Sequence, residues 1–343
     1  MKKIIFAALA IAAMAACTKS NVQFDQPGEI AFQPVSQKAT KAAVIGTNYP
    51  TADAYNFNVW AWWSDSEKGT TDASAFNKVY INEQEFSYRN SNNWGGKQNP
   101  YYWPTTGSLF FAGYSPANAP GTKDYLHHDE KFVVNGYTQS SDIASTTDFM
   151  WFHLTDVSYD RTTDAVPVKF HHALSWLTFR VNLASETTPP LWTVNSIELT
   201  NIETKANFTA VRSVSAEMQG VTNWEAHSNP EDITVFTGSY NAKYVATQYV
   251  AGAEDDAVLE NTPNGILVIP QNCTKDEAKL VIKFQQIAPS GETVDQTKTL
   301  ELGDKWESGK HYLYTITFGA EEILISPTVL DWTPEYTNVL PVK

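Results

Sequence analysis

The chain has 343 residues, a net charge of −14 at pH 7 and two cysteines. This acidic balance offers no basic stripe of the kind that nucleic-acid binding needs, so we expect no nucleic-acid partner. If Cys17 is acylated, no intramolecular disulfide with Cys273 is possible, and Cys273 has no second cysteine nearby for metal or redox chemistry. The fold must therefore rest on burial alone, and the chain is long enough to fill two cores.

Residues 1–16 have the three parts of a secretion signal. Lys2 and Lys3 precede an apolar run shorter than the roughly 20 residues that a membrane-spanning helix needs, and small residues precede Cys17. The sequence MAAC at residues 14–17 resembles the lipobox of bacterial lipoproteins, in which cleavage leaves an acylated cysteine as the new N-terminus. This pattern favours lipid attachment at Cys17 over the alternative, an ordinary signal with an incidental cysteine.

Residues 17–55 read as a polar tether that contains one strand-like stretch, EIAFQ. Within it Ile30 and Phe32 fall on one face, as in a half-buried strand. In the next run Phe57 and Val59 also share a face, and we expect them in the first core.

Strand-like runs then recur, separated by clusters of Asn, Asp, Gly, Pro, Ser and Thr. In residues 108–114, Leu109 and Phe111 alternate with Phe110 and Ala112, so we expect a central strand whose rings lie in the core. The predicted strands cover residues 56–62, 108–114, 166–168, 177–183, 194–202, 265–270, 279–284 and 312–318.

These short strands, with no long run at helical spacing, predict an all-β fold of two tandem β-sandwiches. The polar, proline-rich break at residues 184–190 is the candidate boundary. We therefore assign residues 56–185 to an N-terminal β-sandwich, residues 186–319 to a C-terminal β-sandwich and residues 320–343 to a C-terminal tail.

No motif in the sequence indicates catalysis, a cofactor or a metal site. The histidine pairs at residues 127–128 and 171–172 would point their rings to opposite faces of a strand, and we expect the second pair to have one buried and one solvated ring. The paired carboxylates at 255–256 and 321–322 lie in polar loops, whereas glycoside hydrolysis needs two carboxyls across a cleft. We therefore predict a protein that is not an enzyme.

Several segments together resemble one family, the fimbrillins, which are lipoprotein-derived pilins of the type V pili of Bacteroidetes. Each segment is short, but their order and spacing on a lipoprotein-like precursor make the resemblance fairly specific. The segments are FNVWA at residues 57–61, YWP at 102–104, LFFAGYSP at 109–116, FHHALSWLTF at 170–179, GILVIPQ at 265–271, LVIKF at 280–284, WESGKHYLY at 306–314 and DW at 331–332.

The resemblance implies a structural subunit with two transthyretin-like β-sandwich domains, lipid-anchored in the outer membrane and assembled with other pilus subunits into a fimbrium. In this family a protease removes the N-terminal segment, and a C-terminal strand of a neighbouring subunit fills the groove. Ile30 and Phe32 match the removable strand. The tail residues that match the donor strand are Ile323, Ile325, Val329 and Trp332; the alternative is that the tail is merely the last strand of the second domain.

The processing site departs from the family pattern. Family stalk subunits are often cut after an arginine in the N-terminal segment, whereas this chain has no arginine before Arg89. Lys38 and Lys41 are the basic residues placed suitably beyond Phe32. Either one of these lysines or another bond is cut, or the subunit keeps its lipid and serves as an anchor or accessory subunit.

A second hypothesis is a surface lipoprotein that binds glycans through exposed aromatic side chains. Its candidate platform is Trp60, Trp62, Trp94 and Trp103. Three exposed, coplanar rings on a concave surface would favour this hypothesis. The sequence names no particular host or glycan ligand for either hypothesis.

Overall fold

The chain is almost entirely β-structure, which confirms the predicted fold class. The computed structural model describes residues 28–34, 49–65, 73–91, 93–140, 142, 146–157, 165–186, 191–212, 221–244, 265–273, 278–288, 290–303, 305–319 and 322–331. The helical segments in these ranges are single 3-10 turns at Asp53–Tyr55, Ala73–Ala75 and His127–Asp129.

Strands are numbered in chain order. The first ten are β1 (Ala31–Pro34), β2 (Phe57–Ser64), β3 (Lys78–Asn90), β4 (Asn93–Gly96), β5 (Ser108–Ser115), β6 (Thr122–Leu126), β7 (Lys131–Thr138), β8 (Met150–Val157), β9 (Val166–Val168) and β10 (His171–His172). The next eight are β11 (Ser175–Leu183), β12 (Leu191–Val211), β13 (Val221–Asn241), β14 (Ile266–Val268), β15 (Lys279–Ile287), β16 (Thr293–Glu301), β17 (Lys310–Phe318) and β18 (Ile323–Asp331). Each of the strand runs predicted from the sequence is therefore confirmed.

An eight-stranded sheet carries the N-terminal half of the molecule, in the order β10-β8-β5-β2-β3-β4-β1-β9. Neighbouring strands are antiparallel, except that β1 and β9 run parallel. The short first strand of the chain thus lies inside this sheet, paired with β4 on one side and β9 on the other.

Two further sheets complete the fold. One has the order β14-β11-β17-β18, in which β11 and β17 run parallel. The other has the order β16-β15-β12-β7-β6, and β13 pairs with the remaining edge of β12. Along its length β12 pairs first with β15 and then with β7, so the β12–β13 hairpin extends along strands from both halves of the chain.

Three apolar clusters hold these sheets together. The N-terminal core lies on one face of the eight-stranded sheet and includes Ile30, Phe32, Phe57, Val59, Phe86, Trp94, Leu109, Phe111 and Phe152. The shared core lies on its other face and includes Trp60, Phe110, Ala112, Phe132, Phe208, Trp224, Leu267 and Ile269. The C-terminal core includes Phe179, Ile197, Phe236, Ile266, Val268, Ile282, Tyr314, Phe318 and Ile323.

Strand alternation between these cores explains the apolar runs in the sequence. Every residue of β5 is buried, because Leu109 and Phe111 enter the N-terminal core while Phe110 and Ala112 enter the shared core. The expected burial of Phe57, Val59, Leu109 and Phe111 is therefore confirmed.

Strands on both sides of residue 185 contribute to more than one core. Four apolar side chains of β11, from Leu177 to Leu183, enter the C-terminal core, which also contains residues from β15 and β17, whereas Trp176 of the same strand enters the shared core. Conversely, Phe208 of β12 and Trp224 of β13 pack in the shared core against earlier strands. The division into residues 56–185 and 186–319 stays a prediction.

Candidate assembly site

The segment with the strongest candidate role is the inserted segment, defined as residues 28–34, because it supplies a strand that lies between β4 and the edge strand β9. Phe32 pairs with Trp94 on β4 and with Val166 on β9. The Ile30 N–H donates to the Tyr101 carbonyl at 2.6 Å. Both backbone edges of the segment therefore find partners, as buried peptide groups require.

Two side chains anchor the inserted segment in the N-terminal core. Ile30 and Phe32 are both fully buried, which confirms their expected position. The Phe32 ring makes edge-to-face contacts with Phe86, Phe111 and Phe57 at centroid distances of 5.0, 5.2 and 5.9 Å. Each such pair adds about 0.5–1.5 kcal/mol to the burial of the ring. Phe32 is thus the central contact of this core.

The opposite face of the segment carries Glu29, which forms an ion pair with Arg89. The Glu29 carboxylate lies 2.8 Å from Arg89 Nη1, with the two side chains 32% and 40% exposed. Arg89 Nη2 also donates to the Gly96 carbonyl at 2.8 Å, and the Arg89 side chain lies against Gly95. This pair fixes the rim of the segment rather than its core.

The described chain resumes after the inserted segment at a second buried anchor, Tyr49. Its ring stacks on Phe170 at 5.1 Å, and its hydroxyl donates to the Tyr55 carbonyl at 2.9 Å. Burial raises the pKa of this hydroxyl. Residues 35–48 run between the two anchors, so a cut among them would separate β1 from the rest of the chain.

Four of the predicted site residues lie outside the described part of the chain. They are Cys17, Lys38, Lys41 and Trp332. Lipid attachment and the position of the cut therefore stay predictions. Among the described residues no helix is long and apolar enough to cross a membrane.

The tail strand, defined as β18, lies at the edge of its sheet and pairs with β17 of the same chain. Ile323 is buried in the C-terminal core, and Ile325 packs against that core while partly exposed. Leu324 and Val329 are about half exposed, at 51% and 53%. In this subunit the tail is thus the last strand of its own sheet, which was the alternative that the sequence left open.

The four tryptophans proposed as a glycan platform are all buried. Trp60, Trp62, Trp94 and Trp103 are each less than 8% exposed. Trp94 contacts Tyr49 at 5.4 Å, and the other three pack within the cores. The platform hypothesis is therefore wrong for these residues, because aromatic rings that fill a core cannot stack on a sugar.

The histidine pair at residues 171–172 differs from the expectation of one buried and one solvated ring, since both side chains are partly buried. His172 Nδ1 lies 2.8 Å from the buried Asp148 carboxylate, and the His171 ring lies 5.2 Å from Trp151. Burial, with a smaller effect from Lys169, lowers the pKa of His171 to about 3. Within the described ranges no three His, Cys, Asp or Glu side chains are grouped to hold a metal ion.

Sequence reasoning missed two contributors to the site, Arg89 and Tyr49. Both act on the inserted segment or its neighbours through contacts across a long sequence separation, and neither lies in a recognisable motif. The residues next to Arg89 and Tyr49 in the sequence do not indicate these contacts, because their partners come close only when the sheet is folded.

The fold and site define an all-β protein whose first strand is inserted between strands that are distant in sequence. The chain belongs to the fimbrillin-like family, whose model matches residues 40–332. This range includes the tail strand and begins after β1. Family membership places the chain among fimbrial proteins, which form surface appendages.

Two solved structures are similar to this chain, and the first of them supports the fold. A fimbrial protein from Bacteroides vulgatus is similar with a TM-score of 0.53 at 16% identity, covering 81% of this chain and 93% of its own. A candidate cell adhesion protein from Bacteroides uniformis has a TM-score of 0.47 at 15% identity, covering 89% of this chain and 98% of its own. No curated protein matches the sequence.

Proposed function

We propose that this chain is a structural pilus subunit, exported as an outer-membrane lipoprotein and assembled by strand exchange after N-terminal proteolysis. One observation carries the proposal. The inserted segment lies between β4 and the edge strand β9, and residues 35–48, which include two lysines, link it to the remainder of the chain, so one cut would break that covalent link.

Loss of the inserted segment would leave a groove between β4 and β9 that can bind another strand. The facing edges of β4 and β9 would lose their partners, and each net hydrogen bond that an incoming strand restores contributes about 0.5–1.5 kcal/mol. The sites of Ile30 and Phe32 would also open, and refilling each contributes about 1.5–3 kcal/mol. Strand addition is the binding mode that these terms favour.

The tail strand is the natural donor within this proposal. It is an edge strand with hydrogen bonds on one side, and Ile323 is its main buried anchor. It can therefore leave its own sheet at a smaller cost than β1, which is paired on both sides. Exchange would bring Ile323, Ile325, Val329 and Trp332 to a neighbouring subunit, as the family resemblance implies.

Controlled trimming tests the assembly step. Purified protein with Cys17→Ser should stay monomeric until trypsin cuts after Lys38 or Lys41, and should then form ladders that resist mild denaturation. Mass spectrometry of the new N-terminus identifies the cut. A Lys38→Gln, Lys41→Gln chain is the matched control and should remain monomeric.

Removal of residues 320–343 should abolish the ladders, with the trimmed protein still folded by circular dichroism. A trimmed chain that has lost residues 28–34, keeps its tail and remains a monomer at high concentration would exclude strand exchange. An anchor, tip or accessory role would then replace the stalk role.

Lipid attachment is tested separately in cells. Cys17→Ser should remove labelling by a fatty-acid analogue and release the protein from the membrane, because each buried acyl methylene contributes about 0.8 kcal/mol to anchoring. Unchanged labelling of the variant would exclude Cys17 as the acylated residue.

A further inference from the structure

The inserted segment and the tail strand share a sequence pattern. Residues 29–34 read EIAFQP, and residues 322–327 read EILISP. Glutamate, isoleucine and proline recur at the same spacing, and the place of Phe32 is taken in the tail by Ile325, also a large apolar residue. Because alternate side chains decide which face of a sheet a strand covers, the two segments suit the same slot.

In both segments the corresponding apolar residues lie on the face that points towards a core. Ile30 and Phe32 point into the N-terminal core, whereas Ile323 and Ile325 point towards the C-terminal core. Both segments are extended. The first apolar anchor is an isoleucine in each, Ile30 in one and Ile323 in the other, and the second anchor follows two residues later. The tail therefore already has the conformation that the slot of the inserted segment requires.

We propose that residues 322–327 of a second copy of this chain occupy the place of residues 29–34, residue for residue. This inference rests on the strand exchange proposed above. It adds the identity of the partner, which is the same protein, and a single register for the joint between subunits.

The core contacts carry over directly in this register. Ile323 takes the place of Ile30, so its N–H meets the Tyr101 carbonyl that Ile30 now uses. Ile325 takes the place of the strand residue opposite Trp94. Both apolar positions are filled, although the side chain of Ile325 is smaller than the ring that it replaces.

The polar rim is also reproduced. Glu322 takes the place of Glu29 and brings a carboxylate to Arg89. Leu324 takes the place of Ala31, which pairs with Gly95, the residue against which the Arg89 side chain lies. The ion pair gives the joint a polar contact that depends on register.

Shifted registers are unfavourable for clear reasons. A shift of two residues in one direction puts Pro327 in the place of Phe32, which is paired on both sides. Proline lacks an N–H, so this shift would lose a hydrogen bond to a neighbouring strand. A shift in the other direction puts Glu321 in the place of Ile30, inside the apolar core. One-residue shifts reverse the two faces.

Engineered disulfides test the register. Gln33 pairs with Pro167 on β9, and Ser326 would take the place of Gln33. A chain with Pro167→Cys and Ser326→Cys, in a Cys17→Ser background, should form covalent ladders after trypsin trimming and mild oxidation. The remaining Cys273 is buried, so it does not compete.

Two control chains calibrate this experiment. Untrimmed protein with Gln33→Cys and Pro167→Cys should form an intrachain disulfide, which shows that the position supports the bond. A trimmed chain with Lys169→Cys in place of Pro167→Cys reports a two-residue shift and should form no covalent ladders.

A charge exchange gives an independent measurement. Arg89→Glu should lower the yield of non-covalent ladders by up to about fivefold. This is the change in binding constant that corresponds to the free energy of a partly exposed ion pair. Adding Glu322→Arg to that chain should restore the yield. Glu322→Arg alone should be as weak as Arg89→Glu alone.

The outcomes separate the register from the exchange itself. Non-covalent ladders that become covalent only through Lys169→Cys, or through neither pair, would overturn the register and leave strand exchange standing. Ladders that require a different protein would overturn the homotypic partner. If no ladders form from any trimmed chain, strand exchange and this inference fail together.

Discussion

The two terminal strands of the molecule have similar sequences but opposite positions. β1 lies inside a sheet, with partners on both sides and two fully buried anchors. The tail strand lies at an edge, with one partner, one buried anchor and most of its described side chains partly or largely exposed. The difference teaches that position, rather than composition, sets how firmly a short strand is held. Under the proposed function a protease would cut the link to the first strand, whereas the second would leave its sheet by thermal opening.

Phe32→Ala should have the largest effect on this comparison. The change removes the ring that contacts Phe57, Phe86 and Phe111, and large-to-small changes of a buried phenylalanine cost about 3–5 kcal/mol. Denaturant unfolding of the untrimmed chain measures the loss. Val329→Ala in the tail is the control and should change stability by less than about 0.5 kcal/mol. Equal effects would contradict the contrast between the two strands.

Acid should weaken the sheet that carries the tail. His311 on β17 is buried, stacks on Trp176 at 3.8 Å and has its pKa lowered by burial to about 3. Because the unfolded histidine titrates near 6.5, the unfolded state binds more protons below that pH. Stability is therefore full above pH 6.5 and falls as the pH drops towards 3.

For His311 alone this loss should reach about 3 kcal/mol at pH 4. Unfolding curves between pH 7 and pH 4 measure it, and His311→Gln should flatten the dependence by that amount. The control is His128→Gln, which replaces an exposed side chain and should change the slope by less than His311→Gln. The same slope in all three chains would refute a neutral, buried His311.

Ile323→Ala should have a smaller effect, about 2 kcal/mol, since the side chain is buried at the edge of the C-terminal core. Hydrogen exchange of β18 amides should also become faster than in the parent chain. Leu324→Ala, one residue along and half exposed, should change neither value appreciably. Similar results for both variants would mean that the tail is not anchored through Ile323.

Arg89→Ala should have the smallest effect, about 0.2–1 kcal/mol, because its ion pair with Glu29 is partly exposed. The part of this effect that comes from the ion pair should disappear at high salt and in trimmed protein that has lost Glu29, whereas the hydrogen bond from Arg89 to the Gly96 carbonyl is independent of Glu29. Lys97→Ala breaks the ion pair with Glu85 on β3, so its effect should survive trimming. An effect of Arg89→Ala that is equally large before and after trimming would contradict a contribution from the ion pair with Glu29.

The sequence was sufficient for the strands whose side chains alternate or are wholly apolar, such as β2, β5 and β17. It did not reveal β13 and β16, because β16 is exposed on both faces and β13 is interrupted by Pro230 and by left-handed residues such as Asn229. Such strands form because a neighbour supplies their hydrogen bonds, which is a tertiary effect.

The candidate site was also predicted only in part from the sequence. Alternation in the sequence was enough to place Ile30 and Phe32 on a buried face. The sequence could not indicate that β1 lies between β4 and β9, since those contacts join residues more than 60 positions apart and follow no local pattern. The contribution of Arg89 was hidden for the same reason.

The β12–β13 hairpin has a mechanical consequence. Its two long strands form one ribbon that extends from the C-terminal core into the shared core. A tensile load applied along this ribbon acts on many cross-strand hydrogen bonds at once, in shear, rather than opening them one after another. Under such a load this part of the molecule would resist extension as a single stiff unit.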